Sequence, residues 1–500
     1  MRITILNPPS LNSLYINRDL MGGLGVSLGH RSGLASKAMN FLKARSIRLP
    51  VMSLAYSAGV LKSHHEIQII DAANMDMDAV GVLESLLDFK PEIILSATSI
   101  AALIEEVQFL SSAKEILKCK LILLGDAASL RAESVLANYD IDYIIQGDEP
   151  EAVLMLAPSL EAEILRKTPG VIGKTGSEVW NTGVPPTLME LDAIPFPSWD
   201  GFPVQYYRYF PTLRRGPFLT VLSSRGCPYG CIYCPYTSNQ GLKYRYRSAE
   251  NVVLELFQLK RAHQIGAFLF RDPTFTLRKP RVHEICDGIL KHRLGLDWGC
   301  ETRVDCLDDP LIEHMVKAGL KGVSIGVEST DPAVIRNAKR GWIDPSLIET
   351  RVRRLTSLGV RVQGFFIVGL PGESLETIKR TIDFASQLPL SYAEFKVATP
   401  FPGTPLFEMA QQNGWIDKVE LNRYTSYDAT LRLPNLPPDR VKSMTERAYR
   451  KFYLSPKRIL KEVTQFSFWR CLFQIMVRNR IPGSATQKMP ILSFEPKSMS

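Results

Sequence analysis

Two stretches of this chain alternate short apolar, β-rich runs with segments of helical period. That alternation restricts the fold more than any other feature. Within residues 1–150 the strand-like runs fall at 2–7, 66–71, 91–96, 121–126 and 142–147, and helical spacing falls at 50–61, 80–89, 104–117 and 129–138. Strands joined by helical crossovers pair in parallel and need helices on both faces. The expectation is an α/β fold that opens with a doubly wound parallel sheet, its ligand across the carboxyl ends of the strands. From 216 to 415 the alternation returns, with strands at 218–222, 267–270, 296–301, 322–327, 363–368 and 394–398 and helices at 249–263, 279–293, 310–318, 345–357 and 375–387. Six such units predict a partial (βα)6 TIM barrel with its site at the carboxyl ends of the strands.

Residues 151–215 read as a Pro-rich linker, because Pro185-Pro186, Pro195-Phe196-Pro197 and Pro203 bar long regular structure. Residues 416–500 read as a basic helical C-terminal region, with helical spacing at 440–453 and 456–475. Phe466, Phe468, Trp469, Leu472, Phe473 and Met476 form an aromatic-rich stripe there, suited to a lid over the barrel mouth and leaning towards a large apolar substrate. The net charge of +9 is concentrated in this region, since residues 430–500 hold fourteen Lys/Arg against four Asp/Glu. A solvated helical face accounts for that charge; peripheral membrane contact is the sharper alternative. No helix-turn-helix and no aromatic–basic platform points to nucleic acid. No signal peptide or membrane span is visible, so the expected compartment is the cytoplasm. Residues 18–48 carry Met21-Gly22-Gly23-Leu24-Gly25 and a basic run ending at Arg48, without the spacing of a phosphate loop. They read as a flexible loop able to close over a ligand.

The chemistry is announced by Cys227-Pro228-Tyr229-Gly230-Cys231-Ile232-Tyr233-Cys234, on the loop that leaves the first barrel strand. Three thiols at this spacing can converge on one object. Three is an odd number for a disulfide framework, and no nearby Cys or His completes a four-ligand zinc site. Thiolates are the usual ligands of iron–sulfur clusters, and a four-iron cluster held by three of them keeps one iron open. Cys119, Cys286, Cys300, Cys306 and Cys471 are scattered and read as small buried hydrophobes.

Cx₃Cx₂C in this context resembles the radical S-adenosylmethionine (radical SAM) superfamily. The resemblance implies a 4Fe-4S cluster on Cys227, Cys231 and Cys234, with SAM chelated by the open iron and cleaved reductively to a 5′-deoxyadenosyl radical. Tyr233, the aromatic before the last cysteine, fits the same family. Strand ends supply the expected SAM contacts: Asp272 after the second strand, Arg303 after the third, Glu328 after the fourth and Gly369 after the fifth. Arg303 suits a carboxylate and Glu328 a hydroxyl or an amino group.

The first 150 residues resemble the cobalamin-binding domain that precedes many radical SAM modules. The matching pieces are Asn7-Pro8-Pro9, Leu49-Pro50, His65-Glu66-Ile67, Leu124-Gly125-Asp126 and Gln146-Gly147-Asp148-Glu149, with Gly125 and Asp126 as expected cofactor contacts. The Asp-x-His-x-x-Gly motif is missing, so no histidine is expected on cobalt. The resemblance implies a cobalamin-dependent methyltransferase acting on an unactivated carbon of a secondary-metabolite or lipid-like substrate. A ferredoxin- or flavodoxin-type protein would donate electrons. Radical cyclisation or ring rearrangement without methyl transfer is the alternative.

Overall fold

The computed structural model describes residues 1–9, 16–18, 24, 26–27, 46–146, 150–156, 158–185, 187–210, 212–417, 423–456 and 458. The glycine run at 21–25 apart from Leu24, the start of the basic run at 43–45, Gly147 to Glu149 and the aromatic stripe at 466–476 lie outside the described residues.

The first sheet takes β1 (Arg2–Asn7), β2 (Glu66–Asp71), β3 (Ile93–Ala97), β4 (Lys120–Leu124), β5 (Tyr143–Ile145), β6 (Val171–Thr175) and β7 (Glu178–Asn181) in the order β7-β6-β5-β4-β3-β1-β2. The strands from β2 across to β5 are parallel, and β6 and β7 extend that edge antiparallel. The linker thus contributes two strands to this sheet. Between the strands run α1 (Met52–Leu61), α2 (Ala79–Phe89), α3 (Leu103–Leu117), α4 (Ala132–Asn138) and α5 (Pro150–Leu156). Alternate strand residues feed two cores. Leu6, Ile94, Leu121 and Leu123 pack with α2, α3 and α4, whereas Ile3, Ile5, Leu95 and Ile122 pack on the face of α1 and α5. The linker lies on α1 so closely that a Cβ at Gly59 would come within 2.3 Å of the Phe196 carbonyl oxygen.

The second sheet is parallel throughout and runs in chain order: β8 (Phe218–Val221), β9 (Ala267–Phe270), β10 (Asp297–Thr302), β11 (Leu320–Glu328), β12 (Arg361–Val368) and β13 (Tyr392–Val397). Its helices are α6 (Pro235–Gln240), α7 (Ala249–His263), α8 (Lys279–Lys291), α9 (Asp309–Lys317), α10 (Pro332–Asn337), α11 (Pro345–Ser357), α12 (Leu375–Gln387), α13 (Pro405–Gln412) and α14 (Pro438–Tyr453). Ser248, Asp308, Asp331, Asp344, Ser374 and Thr404 cap six of them by accepting backbone N–H bonds, which sets where each crossover begins. The sheet is curved. Tyr209 stacks on Phe218 of the first strand, with ring centroids 6.1 Å apart, and its hydroxyl reaches Gln363 of the fifth at 3.3 Å. The convex side is apolar, with Phe268, Phe270, Phe275 and Trp298 packed ring against ring. Because all six strands are parallel, their carboxyl ends gather on one rim.

Residues 1–452 form one compact unit and 453–500 a second, of which 453–456 and 458 are described. Among the described residues no helix is long and apolar enough to cross a membrane.

Candidate active site at the strand ends

The loop leaving β8 is fixed by its backbone. Gly226 sits at φ +77°, and a Cβ there would lie 2.2 Å from the Lys243 carbonyl oxygen, so the turn into the cysteines needs glycine. Cys227 N–H donates to the Gly241 carbonyl at 3.2 Å, and Cys231 N–H to that of Tyr229 at 2.9 Å. Ile232 stitches the loop to its surroundings: its N–H donates to the Ala338 carbonyl at 3.1 Å, and its carbonyl accepts from Leu406 N–H at 2.9 Å. Cys234 is the N-cap residue of α6, and Pro235 opens the helix.

All three cysteines are free thiols; Cys227 and Cys231 are buried and Cys234 is half-buried. Burial pushes the Cys231 thiol up to about 12, and the charges of Glu328 and Cys227 push the same way. Cys234 is raised by burial, then by Cys231 and Cys227. Burial thus opposes ionisation of Cys231 and Cys234. Among the described residues no three His, Cys, Asp or Glu side chains converge on a single metal ion. Cys227, Cys231 and Cys234 are the residues that would hold an iron–sulfur cluster here, and its positive charge would offset the cost of ionising buried thiols.

Glu328 ends β11 at φ +66°, an uncommon conformation for a residue with a side chain and a sign of constraint at a site. Burial raises its carboxyl to about 8, against the pull of a Tyr233 hydrogen bond and the Arg303 charge. Arg340 Nε stands 3.5 Å from its Oε1. Arg303 is held at both ends of its guanidinium: Nε and Nη2 donate to Asp305 at 2.9 and 2.7 Å, and Nη1 to the Arg340 carbonyl at 2.7 Å. It also lies over the Tyr229 ring, 3.9 Å from the centroid. Cys231, Tyr233, Arg303 and Glu328 thus form one electrostatic group.

Other expected contacts sit differently. Asp272 is fully buried and accepts from Ser223 N–H at 3.3 Å, Ser223 Oγ at 2.8 Å and Ser224 Oγ, so it braces the loop from beneath. Gly369, at φ +92°, faces α14, where a Cβ would meet Val441 Cγ1 at 3.2 Å. Its turn is shaped by Glu373, which closes the run Gly369-Leu370-Pro371-Gly372-Glu373 after the fifth strand. Glu373 Oε2 accepts from Gly369 N–H at 2.6 Å and Leu370 N–H at 3.1 Å.

At the carboxyl ends of β3 and β4 the chain runs through buried Ala97, Thr98, Ser99, Ala101 and Ala102 and through Ala127 and Ala128 beside Gly125, which adopts φ +107°. Nearby, buried Arg18 donates to Asn7 Oδ1 at 2.5 Å and to Glu106 Oε1 at 2.8 Å, while its buried Nε has no partner among the described residues. His64 and His65 lie in the turn before β2, at the amino end of that strand. Asp126 accepts a hydrogen bond from Asn239 Nδ2, so the helix that starts at Cys234 reaches this strand end within two turns. Nothing in the sequence around Asn239 signals that contact.

Residues 221–385 match the model of the Radical SAM superfamily. An uncharacterized methyltransferase of Pyrococcus horikoshii is 29% identical over 419 residues, covering 83% of this chain and 90% of the relative. The anaerobic magnesium-protoporphyrin IX monomethyl ester cyclase of Cereibacter sphaeroides is 27% identical over 427 residues, covering 81% of this chain and 67% of the relative. In fold, the chain resembles the radical S-adenosylmethionine methyltransferase TsrM of Kitasatospora setae, solved with cobalamin and a [4Fe-4S] cluster bound. The TM-score is 0.63 at 18% identity, over 84% of this chain and 79% of that one. With its cysteine loop at the head of the matched region and its relatives aligned along most of its length, the chain carries a region, 221–385, that is similar to the radical SAM superfamily.

Proposed function

We propose that the protein is a cobalamin-dependent radical SAM methyltransferase acting on a small molecule. The observation that carries the reading is the trio Cys227, Cys231 and Cys234, three free thiols on one loop at a strand end, with Glu328, Arg303 and Tyr233 beside Cys231. When bound, the cluster would supply reductive cleavage of SAM, and cobalamin would carry the methyl group. The chain's own residues do the rest. The three cysteines hold the cluster. Glu328 offers a carboxyl to a hydroxyl or amino group of SAM, and Arg303 anchors the wall around Tyr229. Gly125 and Asp126 mark where cobalamin would meet the first sheet, and Asn239 ties that strand end to the cluster helix.

In domain terms we read 1–150 as a doubly wound cobalamin-binding-like sheet and 151–215 as the linker. Residues 216–415 are then the partial barrel and 416–500 a basic helical region. A soluble electron carrier of ferredoxin or flavodoxin type fits the need for single electrons, and the cytoplasm is the compartment that supplies it. The match to TsrM, whose structure holds cobalamin and the cluster, supports the cofactor set.

Anaerobic reconstitution with iron, sulfide and cobalamin, followed by product analysis, tests the reading. Replacing any one of the three cysteines with Ala is expected to abolish both cluster loading and 5′-deoxyadenosine formation. Retained SAM cleavage in such a variant would contradict the assignment. The similarity to an anaerobic cyclase sustains a second reading, radical cyclisation without methyl transfer. Methyl-labelled SAM separates the two, because only a methyltransferase places label in the product.

A further inference from the structure

We propose that the concave face of the second sheet selects its substrate through two ion pairs, Arg271–Glu301 and Lys396–Glu394, and that it accepts a molecule presenting hydrogen-bonding groups of both signs rather than a hydrocarbon surface. The inference rests on the methyltransferase reading for its reaction and adds the chemical class of substrate.

Strand register identifies the residues of this face. Glu301 pairs with Ser324, Ser324 with Gln363, Phe365 with Glu394 and Ile367 with Lys396, so these side chains share the side on which Tyr209 spans from β8 to β12. The alternate residues Val362, Phe366, Val368, Ala393, Phe395 and Val397 are buried on the convex side, where Phe395 meets Tyr449 and Phe452 of α14 edge-on. Phe365, Ile367, Glu394 and Lys396 are only half-buried. Ser324 and Gln363 are buried deeper on this face, but towards the carboxyl ends of β12 and β13 the interior is not closed by packing, as a filled barrel core would be.

Beside Phe365 and Ile367, what lines it is charged. Lys396 Nζ lies 2.9 Å from Glu394 Oε2 and donates to the Tyr427 hydroxyl at 2.9 Å, with 20% of its side chain exposed. Two of its three N–H donors are thereby used. Arg271 donates to Glu301 and, at 3.0 Å, to the hydroxyl of Tyr236 on α6, two residues beyond the last cysteine. Glu301 and Glu394 each keep 18% of their side-chain surface open. Tyr209 lies within reach of the charges of Glu301, Arg271 and Glu394, which places both pairs around one interior.

Buried ion pairs are poor stabilisers, and apolar residues of similar volume often serve a core better. Four charges in a lumen that α/β barrels usually fill with Val, Ile and Leu point to use rather than stability. An apolar ligand entering here would strip water from partly hydrated carboxylates and an ammonium without replacing their hydrogen bonds. A ligand with donors for the glutamates and acceptors for Lys396 and Arg271 would restore them. The pairs thus act by rejection as well as attraction.

The test has two arms. In the first, reconstituted holoenzyme with methyl-labelled SAM receives a cell extract divided into water-soluble and chloroform-soluble fractions. Label in a water-soluble product is expected, and label confined to chloroform-soluble product overturns the proposal. Lys396→Met is expected to raise the half-saturating amount of the aqueous fraction about tenfold, with Lys396→Gln, which keeps an N–H donor, restoring part of it. In the second arm the neutral fluorescent probe N-phenyl-1-naphthylamine is titrated into holoenzyme. Wild type is expected to bind it at least tenfold more weakly than the Glu394→Leu/Lys396→Leu variant, and equal affinity overturns the proposal. Lys396→Met replaces the double variant in this arm if the latter loses its cluster absorbance. SAM cleavage without label in either fraction counts against methyl transfer, and the probe arm still decides the substrate class.

Discussion

Glu373 offers the most direct check on the strand-end geometry. Its carboxyl is buried, and burial raises it to about 8 against two backbone hydrogen bonds that favour the charged form. Its second oxygen faces Ser329 with no hydrogen bond of ordinary length. A carboxyl raised in the folded state contributes fully below the unfolded value of about 4.5 and loses that contribution as pH climbs through about 8. The difference corresponds to at most roughly 5 kcal/mol between the two ends of that window. Glu373→Gln keeps an oxygen for Gly369 and Leu370 but cannot ionise. We expect hydrogen exchange of these two amides, compared between wild type and Glu373→Gln at each pH, to show wild type losing relative protection steadily from pH 5 to pH 9. Glu373→Leu should leave both amides unpaired at every pH, at about 1–3 kcal/mol each. If wild-type and glutamine protection ran in parallel across that range, Glu373 would not be a neutral group shaping the turn.

Two further outcomes follow from packing. Gly226→Ala forces a Cβ to 2.2 Å from the Lys243 carbonyl in a left-handed turn, so iron content after reconstitution should fall sharply while circular dichroism of the chain is little changed. Phe401, 1% exposed, leaves the rim of the second sheet and enters the apolar core of the first with Tyr424, so Phe401→Ala should cost about 3–5 kcal/mol and lower the temperature of thermal unfolding.

Much of this architecture was legible because period and turn chemistry are local. The apolar run at 218–222 and the cysteines after it needed only strand composition and spacing, and strands at 66–71 and 267–270 emerge at those bounds. What stayed hidden depends on partners far apart in the chain. Strands β6 and β7, at 171–175 and 178–181, were obscured by the prolines around them, and their place is set by an edge left open by β5. Arg303 reads in sequence as suited to a ligand carboxylate or to a pair with a nearby Asp, and in the fold Asp305 and the Arg340 carbonyl occupy its guanidinium. Asp272 reads as a ligand contact at a strand end, yet its hydrogen bonds go to Ser223 and Ser224. Lys396 and Glu394 look like exposed alternates of an edge strand until the curvature of the sheet turns them inward.

Because the Phe401 ring is seated among the side chains of the other sheet, the two halves of the molecule have no clean seam. A cut near residue 215 would leave the amino-terminal piece with an unfilled hollow and the carboxy-terminal piece with a bare aromatic. Each fragment made alone should therefore tend to aggregate, and a chimaera that swaps one half must carry a matching ring and socket across the join.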